Sequence, residues 1–106
     1  MIRLFVSDID GCLAEPYRPF ALDRFQELAR QARLAGRPGD HPVLPAFSIC
    51  SGRPYPYVEA VTQALGLQVP VLFEAGAGMF DPREVVVRWH PAFTDELAEQ
   101  VEALRR

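Results

Sequence analysis

The chain has 106 residues, of which 49% are hydrophobic and 24% are charged, and its formal net charge is −3. That length allows one small domain with a single core. The net negative charge disfavours a nucleic-acid-binding surface, which needs clustered cations. Because no apolar run is long enough to span a membrane and the N-terminus has no signal-peptide pattern, we expect a cytoplasmic protein without a nucleic-acid or membrane partner.

All eleven cationic side chains are arginines, so any mechanism that requires a lysine cannot be completed by this chain alone. The two cysteines, Cys12 and Cys50, form no C-x-x-C pattern. We therefore expect two free thiols and no zinc site.

The first half of the chain alternates between strand-like and helix-like patterns. Ile2–Ser7 is a nearly continuous apolar run, which is typical of a buried strand in a parallel sheet. Residues 15–20 contain two prolines and predict a loop. Ala21–Ala35 has apolar residues at three- and four-residue steps, which predicts a helix ending at Gly36. Ala46–Cys50 predicts a second strand.

The same alternation continues after the second strand. Prolines at the first turn favour a helix that begins at Pro54 and ends near Gly66. Val69–Glu74 predicts a third strand, and Met79–Phe80 with Glu84–Trp89 predicts a β-hairpin. The order predicts an α/β protein with a Rossmann-like parallel sheet, flanking helices and a hairpin.

Polar residues follow the predicted strands at the points where ligands bind in open parallel sheets. Asp8 and Asp10 follow the first strand, two residues apart. Like charges in one turn resist joint ionisation, so one pKa should rise unless a cation intervenes. Bound Mg²⁺ would keep one carboxylate ionised and leave the other to carry a proton. A nucleophile and a general acid need this division of roles.

The loop after the second strand supplies groups that complement an anion. Ser51 offers a hydroxyl, and the amides of Ser51, Gly52 and Arg53 precede a helix start, where phosphate binds well. Gly52 permits close approach of the main chain. Ser51 could also cap the helix, and Arg53 could contact substrate or lie at a solvated helix start. Glu74 at the third strand end is expected to be structural.

Three segments resemble motifs of the haloacid dehalogenase (HAD) superfamily. Phe5–Leu13 resembles the first motif, an apolar strand followed by D-x-D-G-T-L, with Cys12 in place of the usual threonine. Ser51–Pro54 resembles the S-G-R form of the second motif that is typical of the Cof-like, sugar-phosphatase branch. Glu74–Ala77 resembles the E-N-G-A turn of that branch. The resemblance covers nearly the whole chain.

The resemblance implies a Mg²⁺-dependent phosphomonoester hydrolase, with sugar phosphates as the expected substrates. Asp8 would attack phosphorus and form an aspartyl-phosphate, while Asp10 would protonate the leaving oxygen and then activate water. Mg²⁺ would lie between the Asp8 carboxylate and the Asp10 main-chain carbonyl. The expected phosphate-binding groups are Gly11, Ser51, Gly52 and Arg53.

The third and fourth motifs of the family, a cation and an acidic pair, are not recognisable after residue 90. We therefore interpret residues 1–90 as the N-terminal part of a HAD-like core. Residues 91–106 are predicted to form a helix capped by Thr94, with Leu104 on its inner face, leading toward an absent cap domain. The chain alone is expected to be inactive and to self-associate through the first strand's open edge.

A non-catalytic phosphate-binding or receiver-like signalling module is the alternative. Receivers also place acidic residues after the first strand of a parallel sheet. Their phosphoacceptor aspartate follows the third strand, however, where this chain has Glu74–Gly76, and they require a lysine. The sequence therefore favours the phosphatase, and catalytic turnover distinguishes the two.

Overall fold

The computed structural model of the chain describes residues 2–91 and 102–104. Strands and helices alternate through the first three strands, and an antiparallel hairpin follows. The elements are β1 (Leu4–Ser7), α1 (Leu22–Ala35), β2 (Ala46–Ile49), α2 (Tyr55–Leu65), β3 (Val71–Phe73), a 3₁₀ turn (Glu74–Gly76), β4 (Gly78–Asp81) and β5 (Val86–Trp89).

The strands form two ladders that meet at β2 and β3. β1 pairs with β2 in parallel, and β3, β4 and β5 form an antiparallel sheet in that order. A single parallel bridge between Cys50 and Leu72 joins the two ladders. The Ser48 hydroxyl also donates to the Pro70 carbonyl at 2.6 Å. The prediction of an α/β fold with a parallel sheet, flanking helices and a hairpin is confirmed.

The core lies between the helices and the inner strands. α1 contacts β2, α2 contacts β3, and the two helices contact each other. The apolar stripe of α2 is buried, as its spacing predicts, and α1 contributes small alanines. Leu22 at the start of α1 is 73% exposed, so the predicted apolar face does not extend to the first turn.

Two strands begin later than their apolar patterns predict. The Ala46 amide donates to the Arg3 carbonyl at 2.9 Å, which is the first bond of the β1–β2 ladder. The Leu4–Ala46 pair is the first of the ladder, so β1 begins at Leu4 rather than at Ile2. The third strand begins at Val71, directly after Pro70, which has no N–H to donate to β2.

Most of the predicted C-terminal helix lies outside the described residues. Residues 102–104 are helical, and Leu104 is 86% exposed. The prediction that Leu104 faces the interior is therefore wrong. The boundary between residues 1–90 and 91–106 stays a prediction. Within the described part of the chain, no helix is long and apolar enough to cross a membrane.

The outer edge of β1 is open in the described part of the chain. β1 pairs there with β2 alone. Leu4, Phe5 and Val6 are 45%, 52% and 49% exposed, so both faces of an apolar strand are in contact with water. Apolar residues on both faces are typical of a strand that is covered on both sides. Such an edge favours association with another strand.

We expect the isolated chain to self-associate through β1. Leu4→Lys places a charge on the open edge, which should weaken self-association about tenfold, or about 1.4 kcal/mol. Val43→Lys is the matched control, because Val43 is 72% exposed in the loop before β2 and belongs to neither strand of the β1–β2 ladder. Size-exclusion chromatography with light scattering over a concentration series measures both. A monomeric wild-type chain at all concentrations would contradict the prediction.

Gly78 is expected to be sensitive to substitution. It lies opposite Phe73 in the β3–β4 ladder, and an added Cβ would overlap the ring of that fully buried residue. Gly78→Ala should therefore destabilise the fold by about 1–3 kcal/mol through overpacking. An added Cβ at Gly52 meets nothing within 4 Å, so Gly52→Ala should change stability by less than about 0.5 kcal/mol. Urea denaturation of the two variants tests the difference.

Candidate active site

Buried Ile9 fixes the turn that carries the two aspartates. Ile9 is fully buried, and its carbonyl accepts hydrogen bonds from three amides, those of Cys12 at 3.2 Å, Leu13 at 2.9 Å and Ala14 at 3.0 Å. The exposed Asp8 carboxylate accepts the Ile9 amide on Oδ1 at 2.7 Å. Its Oδ2 accepts no hydrogen bond from a described residue. One Asp8 oxygen is thus oriented by the main chain and the other is available to a ligand.

Asp10 is paired with Arg53, which lies 43 residues further along the chain. Arg53 Nε donates to Asp10 Oδ2 at 2.8 Å, and Arg53 Nη2 donates to Asp10 Oδ1 at 2.9 Å. The Arg53 side chain is 27% exposed and the Asp10 side chain is 31% exposed. Two parallel charge-assisted hydrogen bonds define the geometry of a carboxylate–guanidinium pair closely. The sequence assigned both residues to the site but did not predict their pairing.

The pairing sets the ionisation of Asp10. Hydrogen bonding from Arg53 lowers the pKa of Asp10, outweighing the opposing effect of desolvation. The same hydrogen bond raises the pKa of Arg53. We expected one acid of the aspartate pair to have a raised pKa and carry a proton. For Asp10 the direction is the opposite, because its nearest charged partner is a guanidinium.

Two tyrosines contact the Arg53 guanidinium, and neither was assigned to the site from the sequence. The Arg53 Cζ atom lies 4.7 Å from the ring centroid of Tyr57 and 5.6 Å from that of Tyr17. Both distances are within the range of cation–π attraction. Tyr57 lies in the first turn of α2, and Tyr17 is 95% exposed in the loop after β1. The sequence signal that could have found them is an aromatic residue in each of the segments that follow β1 and β2.

Ser51 is buried at the start of the loop after β2 and is 2% exposed. Its amide donates to the Leu72 carbonyl at 3.1 Å, and its Oγ accepts the Arg53 amide at 3.0 Å. The N-cap of α2 is Pro54, so Ser51 is not the helix cap that we considered. The Cys50 amide donates to the Ser7 carbonyl at 2.9 Å, which brings this loop beside Asp8.

The turn after β3 fixes the Ser51–Arg53 loop through main-chain hydrogen bonds. The Glu74 amide donates to the Arg53 carbonyl at 2.9 Å, and the Ala75 amide donates to the Ser51 carbonyl at 2.8 Å. Glu74, Ala75 and Gly76 have φ values of 47°, 57° and 93°. Left-handed conformations at non-glycine residues carry strain that the surrounding contacts must offset. Glu74 therefore has the structural position that the sequence predicts.

Gly11 occupies a position that favours glycine, with a φ of 81°. Its amide donates to the Ala14 carbonyl at 2.8 Å. We expected this amide to bind phosphate, but in this arrangement it is used inside the loop. The amide of Gly52, in contrast, has no hydrogen-bond acceptor among the described residues, and Gly52 is exposed.

Two of the oxygen ligands that Mg²⁺ would need are present at the end of β1. The exposed Asp8 carboxylate and the Asp10 carbonyl are hard oxygen ligands, and that carbonyl accepts no hydrogen bond from a described residue. Mg²⁺ is commonly bound by one or two carboxylates together with waters and phosphate oxygens. Among residues 2–91 and 102–104, no group of three His, Cys, Asp or Glu residues could hold a metal. Cys12 and Cys50 are free thiols, as predicted.

Solved structures share this fold. A haloacid dehalogenase-like hydrolase from Bacteroides thetaiotaomicron matches 97% of the chain with a TM-score of 0.69 and 15% identity. A Thermoplasma acidophilum protein matches 96% with a TM-score of 0.65 and 25% identity. A hypothetical protein from Geobacillus kaustophilus matches 95% with a TM-score of 0.62 and 18% identity. The chain therefore has a HAD-like fold.

The chain spans 36%, 42% and 35% of the lengths of these three proteins. No protein-family model matches the sequence, and no curated protein matches it either. The likeness is therefore one of fold, and the activity has to be argued from the site.

The Asp10–Arg53 pair predicts a specific loss of stability in acid. Hydrogen bonding from Arg53 holds the pKa of Asp10 in the folded chain below the ordinary value of an aspartate, so the ionised carboxylate favours the folded state. Its contribution is complete above the unfolded pKa and is lost as the pH falls through the folded pKa. Asp10→Asn should therefore lower the free energy of unfolding near neutral pH, and its difference from wild type should shrink as the pH falls through the folded pKa of Asp10.

A double-mutant cycle with Arg53→Gln isolates the pair from other effects of each substitution. The coupling energy between Asp10→Asn and Arg53→Gln, measured by urea denaturation, should be favourable near neutral pH and should disappear in acid. A coupling energy that does not change with pH would contradict the assignment.

Proposed function

We propose that this chain carries the nucleophile and phosphate-binding loop of a Mg²⁺-dependent hydrolase of small phosphomonoesters, with sugar phosphates as the expected class. One observation carries the proposal. Asp8 presents an exposed carboxylate at the end of β1, beside the Ser51–Arg53 loop at the end of its paired strand, in a HAD-like fold. Parallel neighbours bring these groups to one edge of the sheet.

Asp8 is the nucleophile in this proposal. The Ile9 amide holds Oδ1, so Oδ2 is the oxygen that attacks phosphorus. The bond from phosphorus to the leaving oxygen breaks, and an aspartyl-phosphate forms on Asp8. Asp10 supplies the proton to the leaving oxygen and afterwards accepts one from the water that hydrolyses the aspartyl-phosphate. Inorganic phosphate leaves and Asp8 is restored.

The loop after β2 binds the phosphoryl group. The Ser51 hydroxyl and the Gly52 amide are donors beside the start of α2, where anions are favoured. The Arg53 guanidinium adds a positive charge that suits phosphate oxygens. A bound Mg²⁺, held by Asp8 and the Asp10 carbonyl, would neutralise negative charge on the phosphoryl oxygens. Positioning and charge neutralisation are the main contributions to catalysis of this reaction class.

Further ligands and a covering domain would come from residues outside this chain. The described residues hold two candidate metal donors, the Asp8 carboxylate and the Asp10 carbonyl. They hold no group of three His, Cys, Asp or Glu residues that could bind a metal ion. The chain spans at most 42% of the solved structures that it resembles. We therefore expect little or no turnover by residues 1–106 alone, and self-association of that fragment through β1.

Phosphatase assays with the longest polypeptide that contains this chain test the proposal. Asp8→Asn should lower Mg²⁺-dependent hydrolysis of p-nitrophenyl phosphate by on the order of 10³-fold or more, because the amide is a poor nucleophile. Asp23→Asn is the matched control, since Asp23 is exposed on α1 and remote in sequence from the site. Equal activity of Asp8→Asn and wild type would contradict the assigned nucleophile, whereas phosphate binding without turnover would favour the receiver-like alternative.

A further inference from the structure

Arg53 is needed by two partners in the proposed function, and its side chain is already engaged by one of them. Two of its five N–H donors are directed at Asp10 through Nε and Nη2. Asp10 is the proposed proton donor, and a carboxylate in this bidentate pair carries no proton to give. The phosphate-binding group and the proton donor therefore block each other in the ligand-free arrangement.

The main chain of Arg53 is fixed, so a change of partner must come from its side chain. Its amide donates to Ser51 Oγ, and its carbonyl accepts the Glu74 amide. The guanidinium lies over the rings of Tyr57 and Tyr17. Cation–π attraction depends on the distance to the ring face and is not directed at one atom. The guanidinium can therefore exchange hydrogen-bond partners within its plane while it keeps the aromatic contacts.

The energetic balance favours exchange when a phosphoryl group is present. Asp10 and Arg53 side chains are 31% and 27% exposed, so water can replace the bonds that Asp10 loses. Partly exposed ion pairs are weak for this reason. A phosphoryl dianion offers a larger charge than the carboxylate and equally good bidentate geometry. The Ser51 hydroxyl and Gly52 amide lie in the same loop and add donors for the dianion.

We propose that Arg53 is a two-position side chain that is closed on Asp10 without ligand and moves to the phosphoryl group when an anion occupies the Ser51–Gly52 loop. The move frees the Asp10 carboxylate for the leaving oxygen, so that Asp10 becomes available only once a phosphoryl group is bound. Arg53 is thus a positioning residue for Asp10 as well as a phosphate ligand. The inference rests on the proposed function of the same loop.

Titration of inorganic phosphate into the ¹³C,¹⁵N-labelled chain is the direct test, and it uses native side chains only. The Arg53 Nε–H resonance should move with the same phosphate dependence as the Gly52 amide, because both report one binding event. The Asp10 carboxyl carbon should change in parallel. A shifted Gly52 amide with an unchanged Arg53 Nε–H would overturn the inference and leave the phosphate site intact.

Phosphate affinity of matched variants gives the second readout. Asp10→Asn should bind phosphate about 2- to 5-fold more tightly than wild type, because Arg53 no longer has to leave a carboxylate. That gain should be absent when Arg53→Gln is also present. Asp8→Asn is the control for the loss of one negative charge, and any gain that it gives should persist with Arg53→Gln, because Asp8 has no bond to Arg53.

The outcomes separate this inference from the proposed function. An Asp10→Asn gain that survives Arg53→Gln is a simple charge effect and overturns the exchange. Absence of phosphate binding in wild type and in every variant overturns both the phosphate site and the exchange. Amide dispersion in the ¹⁵N spectrum of each variant establishes that it is folded, and the wild-type titration stands independently of any variant that is not.

Discussion

The bidentate pair between Asp10 and Arg53 is the side-chain interaction on which the geometry of the site depends. It connects the turn after β1 with the loop after β2, and parallel pairing brings these segments side by side. Main-chain bonds fix each segment separately, through the Ile9 carbonyl on one side and the Glu74 amide on the other. The β1–β2 ladder brings the two segments together, and the ion pair fixes the Asp10 carboxylate relative to the Arg53 guanidinium.

The pair is partly exposed, so its contribution to stability is small and its main effect is on ionisation and orientation. It lowers the pKa of Asp10 and orients the carboxylate toward Arg53 and away from a proton-donating role. This arrangement of Asp10 and Arg53 is the one expected when no ligand is bound. In the proposed function, chemistry at Asp8 requires an anion that competes with Asp10 for the guanidinium, and phosphate binding thereby controls the availability of Asp10.

The open edge of β1 bears on the activity of the chain. Both faces of this strand are apolar and about half-exposed, as in a strand whose covering elements lie elsewhere. The solved structures with the same fold are more than twice as long as this chain. In the proposed function, this chain supplies the nucleophile, the phosphate loop and two oxygen donors for a metal, and further metal ligands and the selection of substrate would come from other residues.

The sequence by itself determined the order of the elements, the α/β class, and the location of Asp8 and Ser51 at neighbouring strand ends. Hydrophobic periodicity, prolines and glycines are local signals, and they placed every described helix and strand within a few residues. Only the tertiary structure decided that Asp10 pairs with Arg53, that Tyr17 and Tyr57 cover the guanidinium, and that the Gly11 amide is used within its own loop. The side-chain contacts join residues as far as 43 positions apart in the sequence. Which side chains meet depends on their positions in space, and no local sequence pattern encodes those positions.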